Sequence, residues 1–368
     1  MTSELTGSIL TPGGWIAGTL RFDGTILAIS GRAIAHPEPP YLLPGFVDLH
    51  VHGGGGRDAM EGLAGIRHMA ALHAAHGTTS LLATSVTAPF ADIAAFLRAV
   101  ERAFEADWPD TARILGAHLE GPFLNPGKLG AQPPFAAAPD IGALREWLGL
   151  APIRVMTLAP EIDADGSLRA MLRAAGVKIQ IGHSLCAHAE AAACLKAGCG
   201  ITHLYNAMTG VAHRDNGIAG AALAHADHAE IIPDLLHVEP GAILAARRAI
   251  PNLYGVTDAT AGAGMPDGPF RLGRNETRKS GDAMRLADGT LAGSALTMDQ
   301  ALRNLVTIGL PLAEAAERLS TIPADWICRH DIGRITRGAR ADVLRLDGEM
   351  RLTGVWRDGY RIERQEAL

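Results

Sequence analysis

A (β/α)8 TIM-type barrel with a small β-sandwich built from both chain ends is the fold the sequence predicts, and three observations carry it. Eight apolar runs of strand length recur through the middle of the chain, with amphipathic segments after most of them. Both ends alternate short β patterns with Asp-Gly turns. Polar residues of metal-ligand type gather where the apolar runs stop.

The two ends come first. Gly7 to Leu10, Trp15 to Phe22 and Thr25 to Ile29 read as strands, the last following the Asp23-Gly24 turn. Asp342 to Leu346, Leu352 to Arg357 and Tyr360 to Ile362 look alike, separated by Asp347-Gly348 and Asp358-Gly359. Residues 1–43 and 333–368 are therefore expected to pair into one small β domain, leaving residues 44–332 for the barrel.

The eight runs are Gly45 to His50, Thr79 to Thr84, Ile114 to Leu119, Ile153 to Leu158, Lys178 to Gly182, Gly200 to His203, Glu230 to Pro233 and Leu253 to Thr257. After the second, Ile93, Phe96, Leu97, Val100 and Phe104 recur at i, i+3, i+4, i+7 and i+11, one apolar helical face. Eight strand–helix units suit a closed barrel better than an open doubly wound sheet, which usually has about five or six strands.

Composition narrows the function. Of the 368 residues, 48% are apolar and 20% charged, which excludes disorder, collagen and coiled coil. The net charge is −6, and the lysines and arginines form no stripe that could neutralise a phosphate backbone, so nucleic acid is not an expected partner. The longest uncharged stretch, His68 to Ala91, is broken by three histidines, Gly77 and Pro89, so no membrane span is expected. Met1 to Leu10 has neither a cationic nor an apolar leader segment, and a cytoplasmic protein is the expectation. Cys186, Cys194, Cys199 and Cys328 show no C-x-x-C spacing and read as free thiols.

A barrel of this kind works at the C-terminal ends of its strands. Strand one ends in His50-Val51-His52, whose alternation sends both imidazoles to one side. Strand three ends in His118-Leu119-Glu120, strand five in Gly182-His183-Ser184, strand six in Thr202-His203 and strand eight in Thr257-Asp258. Imidazoles with a carboxylate and an open position make a hydrolytic site for a divalent ion such as zinc, which brings the pKa of its bound water to about 7. Serine catalysis fits less well, because Gly182-His183-Ser184-Leu185-Cys186 lacks the last glycine of a nucleophile elbow. Gly53 to Gly56 followed by Arg57 completes neither a phosphate loop nor a dinucleotide motif.

Pro44 to His52 (PGFVDLHVH) with Gly338 to Val343 (GARADV) resembles the amidohydrolase superfamily. HLEGPFLN at His118 to Asn125, HLYNAM at His203 to Met208, His237-Val238, VTDAT at Val256 to Thr260 and LAGSALTM at Leu291 to Met298 are more specific. Together they look like the N-acetylglucosamine-6-phosphate deacetylase family, over essentially the whole chain. The resemblance implies metal-dependent hydrolysis of the acetamide of N-acetylglucosamine 6-phosphate, giving glucosamine 6-phosphate and acetate, in a cytoplasmic homodimer. It makes Glu120, His183 and His203 the principal metal ligands and Asp258 the catalytic acid/base, and places Asn206, Ala207, Arg214 and His237 at the phosphosugar, with backbone groups of Ala131 and of Leu291, Ala292 and Gly293. A guanidinium fork matches phosphate, which independently favours Arg214.

Gln132 departs from the family, which usually has a histidine there that polarises the scissile carbonyl. His50 and His52, absent from some members, could hold a second ion, with Glu120 as the bridge since Ile153 to Leu158 offers no lysine. One or two divalent ions are expected, zinc first, with iron, manganese or cobalt as alternatives. The competing readings are another amidohydrolase, an N-acyl amino acid deacylase or cyclic amidase, and an inert metal-binding barrel, against which Asp258 argues.

Overall fold

The computed structural model describes residues 2–106 and 108–363. Along the chain run β1 (Ser3–Thr11), β2 (Gly14–Asp23), β3 (Thr25–Ala33) and β4 (Tyr41–Pro44). Eight further strands follow: β5 (Phe46–Val51), β6 (Thr78–Ser85), β7 (Arg113–Glu120), β8 (Ile153–Leu158), β9 (Lys178–Ile181), β10 (Gly200–Ile201), β11 (His228–Ile231) and β12 (Asn252–Gly255). Then come β13 (Gly268–Leu272), β14 (Asn275–Ser280), β15 (Ala283–Arg285) and β16 (Leu291–Ser294), and finally β17 (Val343–Leu346), β18 (Leu352–Arg357) and β19 (Tyr360–Arg361).

Strands β5 to β12 pair in parallel and in sequence order, as eight strand–helix units require. Their apolar side chains are buried on both faces, because helices cover the outside and side chains fill the inside. In the helix Phe90–Glu105, Ile93, Phe96, Leu97 and Val100 are buried as expected, whereas Phe104, in the last turn, is 40% exposed. Among the described residues no ladder joins β12 to β5. Closure comes instead from the residues just past β12: the Asp258 N–H donates to the His50 carbonyl at 2.9 Å and the His52 N–H to the Ala259 carbonyl at 2.8 Å.

Both chain ends enter one seven-stranded sheet of order β19-β18-β17-β4-β1-β2-β3. The two layers expected of a sandwich are halves of this single sheet, which curls until Thr25 in β3 bridges Arg340, just before β17. Ile9, Leu20, Phe22 and Ile26 from one half pack against Val343 and Trp356 from the other, with Phe22 edge-on to Trp356 at 6.3 Å. A separate antiparallel sheet, β13-β14-β15-β16, is inserted after the last barrel strand and joins the barrel through the Ala259–Ser294 bridge. The sequence reading did not anticipate it.

The curled sheet is fastened beneath the barrel by Arg113 at the start of β7. Its guanidinium donates to Ser80 Oγ (2.7 Å), Asp342 Oδ2 (3.0 Å) and Asp358 Oδ2 (2.6 Å). Burial would raise the Asp358 carboxyl, but Arg113 holds it below the ordinary aspartate range. Arg113→Met should therefore cost about 3 kcal/mol, the low end for a broken buried pair because Arg113 keeps some exposure. A carboxyl depressed in the folded state contributes stability above its unfolded pKa and loses it as pH falls. Urea midpoints should thus separate parent and variant widely at pH 7, with the gap narrowing towards pH 3.

Candidate functional site

Strand ends deliver the site. His50 lies in β5 and His52 just beyond it, Glu120 closes β7, and His183, His203 and Asp258 stand two or three residues past β9, β10 and β12. All six are buried. His183, His203 and Asp258 take left-handed φ values of 49°, 27° and 49°, turning each chain sharply off its strand. Glycine would adopt that backbone without penalty, while another residue stores about 1–3 kcal/mol of strain there. Side-chain chemistry at these three positions outweighs the strain.

Two donor groups face each other. In the first, His183 Nε2 and His203 Nε2 are 3.1 Å apart and lie 3.0 and 2.9 Å from Glu120 Oε1. In the second, His50 Nε2 and His52 Nε2 are 3.1 Å apart and lie 3.5 and 3.2 Å from Asp258 Oδ1. The other Glu120 oxygen, Oε2, reaches the second group, 3.2 Å from His52 and 3.5 Å from His50. One carboxylate thus touches both.

The ring nitrogens behind these atoms decide what the front ones carry. His183 Nδ1 is 2.8 Å from the Lys128 carbonyl and His50 Nδ1 is 2.9 Å from Glu230 Oε2. With Nδ1–H donating backwards, each neutral ring turns a lone pair at Nε2 towards a carboxylate oxygen that is itself an acceptor. Acceptors facing acceptors at 3 Å repel unless a positive charge sits among them. In the bare protein protons supply it: burial opposes charge on His52, but Asp258 and Glu120 raise it to about 9. Burial likewise opposes charge on Asp258, yet His50 and His52 bring it to about 2, and Glu120 is held well below the carboxylate range. These oxygen and imidazole donors fit a divalent cation, in a first site of Glu120, His183 and His203 and a second of His50, His52 and Asp258.

A further layer orients the donors. Glu230 on β11 accepts from the His203 N–H at 3.1 Å as well as facing His50, and Gln180 donates to its other oxygen at 3.1 Å. Gln132 accepts from the Thr87 N–H at 2.7 Å and turns its amide nitrogen onto Glu120 Oε2. His118, beside the site in sequence, is engaged by the Leu49 carbonyl and Thr157 and stays structural. Ser184 donates to Glu161 at 2.7 Å, an arrangement without the imidazole base a serine nucleophile needs.

The donors open into a cavity of about 250 Å³. Of the predicted substrate residues, Ala131, Asn206, Ala207, His237, Leu291 and Gly293 line it. Two do not. Arg214 stands exposed on the loop beyond Asn206 and Ala207, and Ala292 is turned away, its methyl packed with Val86 and Leu272. Leu272 of the inserted sheet and Thr290, in the turn before β16, line the cavity without having been anticipated.

The chain matches the model of the Amidohydrolase family over residues 41–359. It is 36% identical over 366 residues to an N-acetylgalactosamine-6-phosphate deacetylase of Escherichia coli O157:H7, covering 95% of this chain and 96% of that one. It is 34% identical to an N-acetylglucosamine-6-phosphate deacetylase of Vibrio furnissii, covering 95% and 93%. Among solved structures, an aspartate-to-alanine mutant of N-acetyl-D-glucosamine-6-phosphate deacetylase from Mycobacterium smegmatis, in complex with N-acetyl-D-glucosamine-6-phosphate, superposes with a TM-score of 0.90 at 32% identity, covering 98% of this chain and 99% of that one. With strand order, cavity and donor set in agreement, the chain belongs to the amidohydrolase family, beside the N-acetylhexosamine-6-phosphate deacetylases.

Proposed function

We propose that the protein hydrolyses the acetamide of N-acetylglucosamine 6-phosphate to glucosamine 6-phosphate and acetate, a step of amino-sugar breakdown. The observation that carries this reading is the convergence of two carboxylates and four imidazoles on one cavity, in a chain that deacetylase relatives match over 95% of its length. N-acetylgalactosamine 6-phosphate is the second reading, favoured by the Escherichia coli relative. Glu120, His183 and His203 would hold one divalent ion, zinc by the donor types, and His50 and His52 with Asp258 a second. A divalent cation bound there supplies a Lewis acid for the carbonyl oxygen and acidifies water.

The chain's own residues do the rest. Asp258, ionised among imidazoles, accepts a proton from the attacking water as its oxygen bonds to the carbonyl carbon, and returns the proton to the sugar nitrogen as the C–N bond breaks. Glu120 and Glu230 keep the imidazoles oriented, and Gln132 orients Glu120. His237, whose ring is 2.6 Å from Asp234, and Asn206 meet the outer part of the sugar phosphate. Arg214, exposed on the same loop as Asn206 and without an ion pair among the described residues, adds positive charge on that side.

The seven-stranded sheet is proposed as a domain of residues 1–43 and 333–368. Leu185, Val211 and Leu236, exposed on loops after three successive strands, support a homodimer covering that rim. Four free thiols support a cytoplasmic location, and among the described residues no helix is long and apolar enough to cross a membrane.

Acetate release from the two phosphosugars, with and without chelator, tests the reading; loss of release on chelation and recovery with zinc is expected, and no release from either sugar would refute it. Asp258→Asn should keep the ion held by Glu120, His183 and His203 by elemental analysis while turnover falls by about a hundredfold or more. His50→Ala/His52→Ala should stay folded and lose one equivalent of metal, because His183, His203 and Glu120 remain; unchanged metal content would mean one ion suffices.

A further inference from the structure

Two sulfurs meet where the helix His188–Lys196 ends, on the outside of the barrel just before β10. The Gly198 N–H donates to the Leu195 carbonyl at 2.9 Å and the Cys199 N–H to the Cys194 carbonyl at 3.1 Å, with Gly198 at a left-handed φ of 86°. These two bonds make a Schellman turn, which folds the residue after the glycine back over the last helical turn and onto the side chain five positions earlier. That contact is ordinarily apolar. Here both positions are cysteine, and the two buried thiols touch through a side-chain hydrogen bond.

A neighbouring helix aims positive charge at the pair. Arg169 and Arg173 lie one turn apart on the helix Ser167–Ala174, with Arg169 Nη1 2.9 Å from Cys194 Sγ and Arg173 Nη2 3.6 Å from Cys199 Sγ. Arg169 is fixed in this pose, because its Nε donates to the buried Asp163 carboxylate at 2.8 Å and its Nη2 to the Asp163 carbonyl at 2.7 Å. A helix C-terminus disfavours an anion, and burial and Glu190 oppose one on Cys194 as well. The Cys199 hydrogen bond and Arg169 outweigh them and bring Cys194 down to about 6, while the same bond and burial push Cys199 up. The sulfurs lie only one side chain deep, beneath the exposed turn at residues 196–198 and the exposed Arg173.

We propose that Cys194 and Cys199 form a peroxide-reactive thiol–disulfide site, with Cys194 as the attacking sulfur and Cys199 as the resolving one. The Cys194 thiolate attacks hydrogen peroxide: an S–O bond forms, the O–O bond breaks, and the departing hydroxide takes a proton to become water. Cys199 then attacks the Cys194 sulfenic acid, forming the S–S bond as the S–O bond breaks; its proton leaves with that hydroxide as a second water. Two electrons pass from the sulfurs to the peroxide, and a small thiol reductant returns them. Reversible disulfides of this kind are the ones a reducing compartment tolerates. The site stands apart from the donor cluster, so its chemistry does not depend on the deacetylase reading.

Brief treatment of the reduced protein with hydrogen peroxide, followed by alkylation in denaturant and peptide mass mapping, reads the site without any assay of turnover. Cys186, which burial pushes up to about 12, and Cys328, which is exposed, are internal controls. The expected product links Cys194 to Cys199, lighter by two hydrogens, before either control is modified, and dithiothreitol reverses it. In Cys199→Ser the reaction should stop at a sulfenic acid on Cys194 that dimedone traps. In Cys194→Ser, Cys199 should remain a thiol over the same interval. Oxidation of Cys328 while Cys194 and Cys199 both remain thiols would overturn the assignment, and so would dimedone trapping at Cys199 in Cys194→Ser as fast as the parent reacts. The map of the parent protein decides by itself if a variant fails to fold.

Discussion

The seam between β5 and the residues following β12 is the constraint on which the site depends. Asp48 is fully buried there, and its carboxylate accepts from Thr257 Oγ1 at 2.6 Å, the Thr257 N–H at 3.2 Å and the His50 N–H at 3.3 Å. Burial drives its pKa to about 7 against those bonds. A buried carboxylate without partners is among the costliest features a core can hold, so the arrangement is stable only when the first and last strands are in this one register. A slip of one residue would turn His50 and His52 outwards. Closure and site assembly are therefore one event: the bonds that shut the barrel also set Asp258 against the two histidines.

The site concentrates unfavourable terms that the remainder of the barrel offsets. Three of its donor residues hold left-handed backbone, two carboxylates share one pocket and four imidazoles lose their water. Each is individually worth a few kcal/mol, comparable to a large part of a domain's net stability. Against them stands a continuous apolar core reaching from Leu49 through Met156 to Val256, with each well-buried side chain contributing about 1.5–3 kcal/mol. Glu230 and Gln132 belong to the same balance, since each satisfies a polar group that the donor cluster would otherwise leave frustrated.

Most of the barrel was legible because its strands are buried on both faces and so read as unbroken apolar runs; Thr79 to Thr84 and Ile153 to Leu158 became β6 and β8 with ends shifted by no more than a residue. The H-x-H alternation and the polar strand ends were legible for the same reason, as breaks in that pattern. Glu230 was passed over although it sat inside a named strand, because a lone acid there does not declare whether it points to the axis. The inserted sheet was missed because β13 and β14 alternate charged residues with few apolar ones; along β13, β14 and β15 only Leu272, Thr277 and Met284 are buried. Its turns at Gly273, Gly281 and Gly289 were the available signal. Residue type and resemblance alone nominated Arg214, and neither carries information on where a solvent-facing loop directs a side chain.

Separating charge recognition from chemistry follows from the electrostatics of the donor cluster. Glu120 and Asp258 are anionic and spend their charge on the imidazoles around them, so a sugar phosphate brought beside them would compete with them for the same positive charge in a low-dielectric pocket, where Coulomb terms are several-fold stronger than in water. The phosphate must therefore stay on the outer side, and a sugar with its phosphate held outside can present only its other end to the cluster. Among the described residues lining the cavity none is lysine or arginine, in keeping with the same electrostatics, since a guanidinium there would pair with Glu120. The inserted sheet, tied through the Ala259–Ser294 bridge to the segment that positions Asp258, supplies Leu272, Leu291 and Gly293 to the cavity wall.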